Sequence, residues 1–177
     1  MNLGITGAQS VGKTTLLNAL RSEKALTGFT VCDEVTRRVK SYGLPINEAG
    51  TNVTQRLIMQ EHIANVFMHH SMITDRTALD GLVYSSYLFK KGSIDASTMK
   101  FVRQVFDKVW PAYDHVFYIA PEFDIADDGE RSVSTDFRDE IVEIFETIIK
   151  TNKLPVIRIK GSVRERVSTI INILEGR

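Results

Sequence analysis

Gly7-Ala8-Gln9-Ser10-Val11-Gly12-Lys13-Thr14 fits the pattern GxxxxGK[ST]. It lies between a short apolar run, Leu3-Gly4-Ile5, and a helical pattern from Thr14 to Leu20 in which Leu16, Leu17 and Leu20 share a face. Strand, glycine-rich loop, helix is the order that builds a phosphate cradle. Gly7 and Gly12 have no Cβ, so the loop can take positive φ and bring backbone N–H groups close to phosphate oxygens. The next helix aims its unpaired N–H groups and positive dipole end at the same anion. Gly7, Ala8, Gln9, Ser10, Val11, Gly12, Lys13, Thr14 and Thr15 are therefore the nucleotide-binding set. Lys13 is expected on the β- and γ-phosphates and the Thr14 hydroxyl on Mg²⁺.

Working outward, Phe29-Thr30-Val31-Cys32 is a short β-prone run that stops at Asp33-Glu34, followed by Arg37-Arg38. Ser71-Met72-Ile73-Thr74 stops in the same way at Asp75-Arg76. In an open parallel sheet the carboxyl ends of strands line the ligand crevice, which brings both charged pairs towards the phosphates. Glu34 is a candidate to orient or deprotonate an acceptor hydroxyl, and Arg76 to face the transferring group. Asp75 is the second expected Mg²⁺ ligand, opposite Thr14. Asp33, Arg37 and Arg38 are candidates for substrate contact. So is Gln60, on a long helical pattern that begins at Asn52 and runs through Val53, Leu57, Ile63, Ala64 and Phe67. His62, His69 and His70 on and after that helix lack an i,i+4 pair with a partnering carboxylate, so they do not read as a metal site.

Asp80 reads as the cap of a helix carrying Leu82, Val83, Tyr84, Tyr87 and Leu88. Ser93 to Trp110 reads as a further helix, and His115 to Ile119 as a fourth strand. The polar segment Glu122 to Asp136 is long for a connection inside a compact domain and carries Arg131, which reads as a lid arginine that neutralises phosphate charge during transfer. The stripe Phe137, Ile141, Ile144, Phe145 and Ile148 marks the next helix. Leu154 to Ile159 is a last strand, and Ser162-Val163-Arg164-Glu165 a capping box opening a terminal helix. Gly161 and Ser162 lie where strand meets helix, near enough in the pattern to touch a nucleotide base. The alternation predicts a three-layer α/β domain with a parallel sheet of about five strands, one domain over residues 1–177.

Composition narrows the function. The 177 residues are 43% apolar and 25% charged, with 22 basic and 22 acidic side chains, so no bulk positive field points to nucleic acid or a membrane surface. One cysteine, Cys32, rules out an intrachain disulfide and suits a reducing, cytoplasmic setting. No stretch is apolar enough to read as a leader or a membrane span.

The GKTT start, Asp33-Glu34 with Arg37-Arg38, Asp75-Arg76, Tyr113-Asp114 and Asp128-Gly129-Glu130-Arg131 together resemble the small P-loop ATPase/kinase family typified by bacterial ribosylnicotinamide kinase domains. They are similar also to deoxynucleoside and thymidylate kinases. That resemblance implies the P-loop NTPase fold, ATP and Mg²⁺ as cofactors, and a nucleoside or nucleotide as phosphoryl acceptor. It gives Glu34, Asp75 and Arg76 roles around acceptor and metal. Thr77 stands where thymidylate kinases prefer an aromatic, and no proline follows Glu34 as in many deoxynucleoside kinases, so the acceptor stays unnamed. Other readings stay open: a P-loop ATPase or nucleotide-binding module without transfer, a kinase acting on a modified base in DNA, and a GTP switch, for which Asn152-Lys153-Leu154-Pro155 supplies two letters of Asn-Lys-x-Asp. A homodimer is compatible with all of these.

Overall fold

The computed structural model describes residues 1–122 and 135–176. The five short apolar runs form strands β1 Asn2–Thr6, β2 Thr30–Cys32, β3 Met72–Asp75, β4 His115–Ile119 and β5 Val156–Ile159. Every pairing is parallel, in the order β2-β3-β1-β4-β5. The three inner strands are covered on both faces, which is why Leu3, Ile5, Met72, Ile73 and Phe117 are fully buried and why those runs are continuous rather than alternating.

Among the described residues seven α-helices connect and cover the strands: α1 Lys13–Leu20, α2 Val35–Ser41, α3 Asn52–Met68, α4 Ala78–Lys90, α5 Ala96–Val109, α6 Thr135–Thr151 and α7 Val163–Leu174. The step from β1 to β2 runs one way along the sheet and all later steps run the other way. Right-handed crossovers therefore put α1 on one face, against α7, and α3 to α6 on the opposite face, where α4 packs on α5 and α6. This is the three-layer α/β P-loop kinase fold. None of the described helices is long and apolar enough to cross a membrane.

Three expectations shift in the structure. Thr77, not Asp80, is the N-cap of α4: its hydroxyl accepts from the first-turn backbone, while Asp80 sits at the third helical position and its carboxylate reaches back to the Thr77 N–H at 2.8 Å. The helix expected from Ser93 starts at Ala96, because the Asp95 carboxylate accepts from Thr98 N at 2.6 Å and caps it there. On α3 the expected stripe from Val53 to Phe67 does not mark the inner face. Val53 and Phe67 are 61% and 62% exposed, whereas Gln55, Ile58, Met59, His62, Asn65 and Val66 are buried. This helix turns polar side chains inward because it walls a crevice rather than only a core.

Candidate active site

The loop after β1 is held by its glycines. Gly7 has φ +146° and Gly12 +89°, and a Cβ on Gly7 would stand 2.4 Å from the Ile119 carbonyl oxygen. Gly7→Ala is expected to cost about 1–3 kcal/mol of stability, read from the urea midpoint. An unchanged midpoint would show that the loop has room to shift. Gly12 is the left-handed residue from which α1 starts, so the free N–H groups of that helix open onto the loop.

Lys13 is buried, and its Nζ donates to the carbonyls of Gly7 at 2.9 Å and Ala8 at 2.6 Å. Burial, reinforced by the Arg76 guanidinium, lowers its pKa to about 8. The ammonium thus rests on loop carbonyls, within a lysine side chain's reach of the anion that the loop is shaped to hold.

Thr14 and Asp75 meet, with Thr14 Oγ1 donating to Asp75 Oδ2 at 2.6 Å. Asp75 is 1% exposed, its other oxygen has no partner among the described residues, and burial raises its pKa. A buried carboxylate oxygen without a donor, beside a threonine hydroxyl, is the donor set of a hard cation that keeps most of its waters. The residues fit Mg²⁺. Among the described residues there is no cluster of three or more His, Cys, Asp or Glu arranged as an all-protein metal cage.

β3 lies between β1 and β2, so Asp75-Arg76 is flanked by the loop on one side and Glu34 on the other. Arg76 Nε donates to Glu34 Oε1 at 2.6 Å, and its Nη1 to Asp80 Oδ1 at 3.3 Å. Arg37 Nε reaches Glu34 Oε2 at 3.1 Å. Burial alone would raise the Glu34 pKa, but Arg76, with Lys13 and Arg37, more than reverses this and lowers it to about 2. So paired, Glu34 is a fixed anion suited to orienting a hydroxyl rather than to taking its proton. Arg76 has φ +76°, uncommon for a side chain with a Cβ, and stands 5.1 Å from the centre of the Tyr84 ring. Asp80 also accepts from Thr6 Oγ1 at 2.6 Å, so this carboxylate anchors Arg76 to β1 as well as closing the helix cap.

Between the loop and α7 lies a cavity of about 350 Å³, lined by Ser10, Val11, Gly12, Thr15, Gly161 and Arg166 among others. Arg166 of α7 is buried and donates to the Val11 carbonyl at 2.9 Å and to Glu122 at 3.3 Å, while Glu122 accepts from Gly161 N at 2.9 Å. Sequence reading placed Gly161 and Ser162 here but missed Arg166, whose only signal is a charge on the inner side of an amphipathic helix. A larger groove of about 460 Å³ between α4, α5 and α6 shares no residue with the loop.

Other expected contacts lie elsewhere. Gln60 is exposed, on the outer side of α3, and the buried glutamine of that helix is Gln55. Asp33 turns outward to pair with Arg21, both well exposed. Arg38 pairs with Glu61 at 2.6 Å and lines no cavity with Glu34. Asp33 follows β2 at the sheet edge, and Gln60 and Arg38 lie on the exposed faces of α3 and α2. Arg131 and the lid core, residues 123–134, lie outside the described residues. Asn152-Lys153 sits before β5, at the opposite end of the sheet from the loop, so it reads no base there.

The fold is shared with solved structures, a deoxyadenosine kinase among them. It superposes on deoxyadenosine kinase from M. mycoides with products dCMP and dCDP bound at a TM-score of 0.72 and 14% identity, covering 99% of both chains. Against the NadR protein in complex with NR the TM-score is 0.75 at 16% identity, over 99% of this chain and 52% of NadR. YorR from Bacillus subtilis, in complex with phosphorylated GDP, gives 0.58 at 17% identity over 99% of this chain and 96% of YorR. No curated protein sequence matches this chain. A family model described as an AAA domain matches residues 3–166, from the first strand to the last helix, and by that match the chain belongs to the AAA-domain family.

Proposed function

We propose that this chain is a cytoplasmic Mg²⁺-dependent phosphotransferase that moves the γ-phosphoryl group of ATP to a nucleoside-type acceptor. One observation carries the reading: Thr14 and Asp75 share a 2.6 Å hydrogen bond, with the Glu34–Arg76 ion pair one residue further along the same strand end. A cation site at Thr14 and Asp75 beside an anion at Glu34 is what in-line transfer between two bound substrates requires, and that supports the reading. The kinase fold shared with deoxyadenosine kinase and NadR supports it.

In this reading the loop amides and Lys13 hold the triphosphate, and Thr14 Oγ1 with the Asp75 carboxylate holds the cation. Mg²⁺, when bound, neutralises charge on the β- and γ-oxygens. Glu34 orients the acceptor hydroxyl, and Arg76, released in part from Glu34, faces the equatorial oxygens of the transferring group. Positioning and charge neutralisation supply most of the rate. Arg131 adds a further cation.

The test is product mass. With Mg-ATP and a panel of nucleosides, nicotinamide riboside, their 5′-monophosphates and base-modified DNA, one acceptor is expected to gain a single phosphoryl group with matching ADP. Loss of ATP with no modified acceptor would establish an ATPase instead.

A further inference from the structure

His62 lies in the middle of α3, 1% exposed, and neither ring nitrogen has a hydrogen-bond partner among the described residues. It lines a small cavity with Gln55, Tyr84, Thr36, Asn47 and Arg76. A second small cavity on the Glu34 side shares Thr36, Asn47 and Arg76 with it. The two adjoin at these three residues as halves of one crevice. In the His62 half the charged groups among the described residues are Arg76 and Asp80, which are paired with each other, and the rest of the wall is neutral.

Leaving two buried polar atoms unsatisfied costs stability, and an apolar side chain of similar size would avoid that cost. Burial also lowers the His62 pKa to about 4, so at neutral pH the ring carries one N–H donor and one bare nitrogen acceptor. The cavity now holds about 20 Å³, room for a water and not for a ring. Its outer wall can give: α2 and the following loop rest on α3 through a small cluster, Val35, Val39 and Ile58 with Leu44, Ile46 and Leu57, that is separate from the main core.

We infer that His62 is a specificity-determining residue for the acceptor, satisfied by an uncharged polar head group that carries both a donor and an acceptor and enters when the Thr36–Asn47 wall moves out. This rests on the phosphotransferase reading and narrows it: the acceptor is a nucleoside, with its base or carboxamide against His62 and its hydroxyl toward Glu34. A 5′-monophosphate would put its charge where that hydroxyl sits, against the Glu34 carboxylate.

The test compares His62→Leu, which keeps volume but removes both polar atoms, with His62→Gln, which keeps a donor and an acceptor. Binding of each nucleoside and its 5′-monophosphate is measured by calorimetry, and KM and kcat wherever transfer occurs. The expected result is a nucleoside Kd weakened about tenfold or more in His62→Leu and largely rescued in His62→Gln, with ATP affinity changed less than twofold. His62→Leu should also melt at a higher temperature than wild type, which a structural role for the ring would not produce. Unchanged nucleoside affinity in His62→Leu, preference for the monophosphate, or no nucleoside bound by the wild type would overturn the inference. Absence of transfer by a wild type that still binds nucleoside through His62 would overturn the phosphotransferase reading alone.

Discussion

Lys13→Met is expected to lower phosphoryl transfer by about 10²–10³-fold while leaving the protein folded. The methionine keeps most of the aliphatic stem and removes the ammonium that now rests on the Gly7 and Ala8 carbonyls. In the folded protein that ammonium is destabilised by burial and by Arg76, with its pKa lowered from 10.5 to about 8. The unfolded chain therefore binds more protons than the folded one across that interval, so stability rises with pH from about 8 to 10.5. Below it the cost of the buried cation is present in full. In Lys13→Met this alkaline rise should disappear and the melting temperature at pH 7 should not fall. Turnover with Mg-ATP and acceptor, together with melting curves at pH 7 and pH 10, reads both effects. Retained turnover would remove Lys13 from the phosphate site, and a melting temperature well below wild type would make its role structural.

How far the fold could be read from the sequence depended on how local each signal is. The phosphate loop, the strand ends at Glu34 and Asp75, and the capping box at Ser162–Glu165 are short-range patterns, and the structure has them where the sequence put them. The parallel sheet followed because apolar runs alternate with helices along the chain. What escaped was side-chain direction on elements that line the crevice. On α3 the rule that apolar residues face inward fails, since Gln55, His62 and Asn65 are buried and Val53 and Phe67 are not. Gln60, expected to face the crevice, is exposed instead. Asp33 and Glu34 are adjacent letters just after an edge strand, one turned out to Arg21 and the other in to Arg76, and only pairing with Arg76 distinguishes them. Asp80 was legible as part of a helix start but not as the anchor of Arg76, because that role needs Thr6 from a strand seventy-four positions earlier.

The ion pair at the centre of the crevice should show its worth in a stability cycle. Glu34 and Arg76 side chains are 10% and 8% exposed, so neither carries its charge into bulk water. Arg76→Leu leaves Glu34 and Asp80 buried without their shared cation and is expected to destabilise the fold by about 3–5 kcal/mol. Glu34→Gln should cost less, because Arg76 keeps Asp80 at 3.3 Å and the amide oxygen still accepts. The double variant should be more stable than the sum of the two losses predicts, by about 1–3 kcal/mol, since the second change removes the charge that the first had stranded. Acid unfolding gives the sign independently. The Glu34 pKa falls from 4.5 to about 2 on folding, so its contribution is complete above pH 4.5 and drains away as pH drops towards 2. That part of the acid limb should be missing from Glu34→Gln and retained in Arg37→Ala, whose guanidinium is half exposed and contributes less. Urea midpoints for the four members of the cycle, and acid titrations of wild type, Glu34→Gln and Arg37→Ala, decide it. Additive losses would mean that Glu34 and Arg76 are held by the surrounding backbone rather than by each other. In that case Arg76 would be free to face the phosphoryl group without first breaking a bond that the fold depends on.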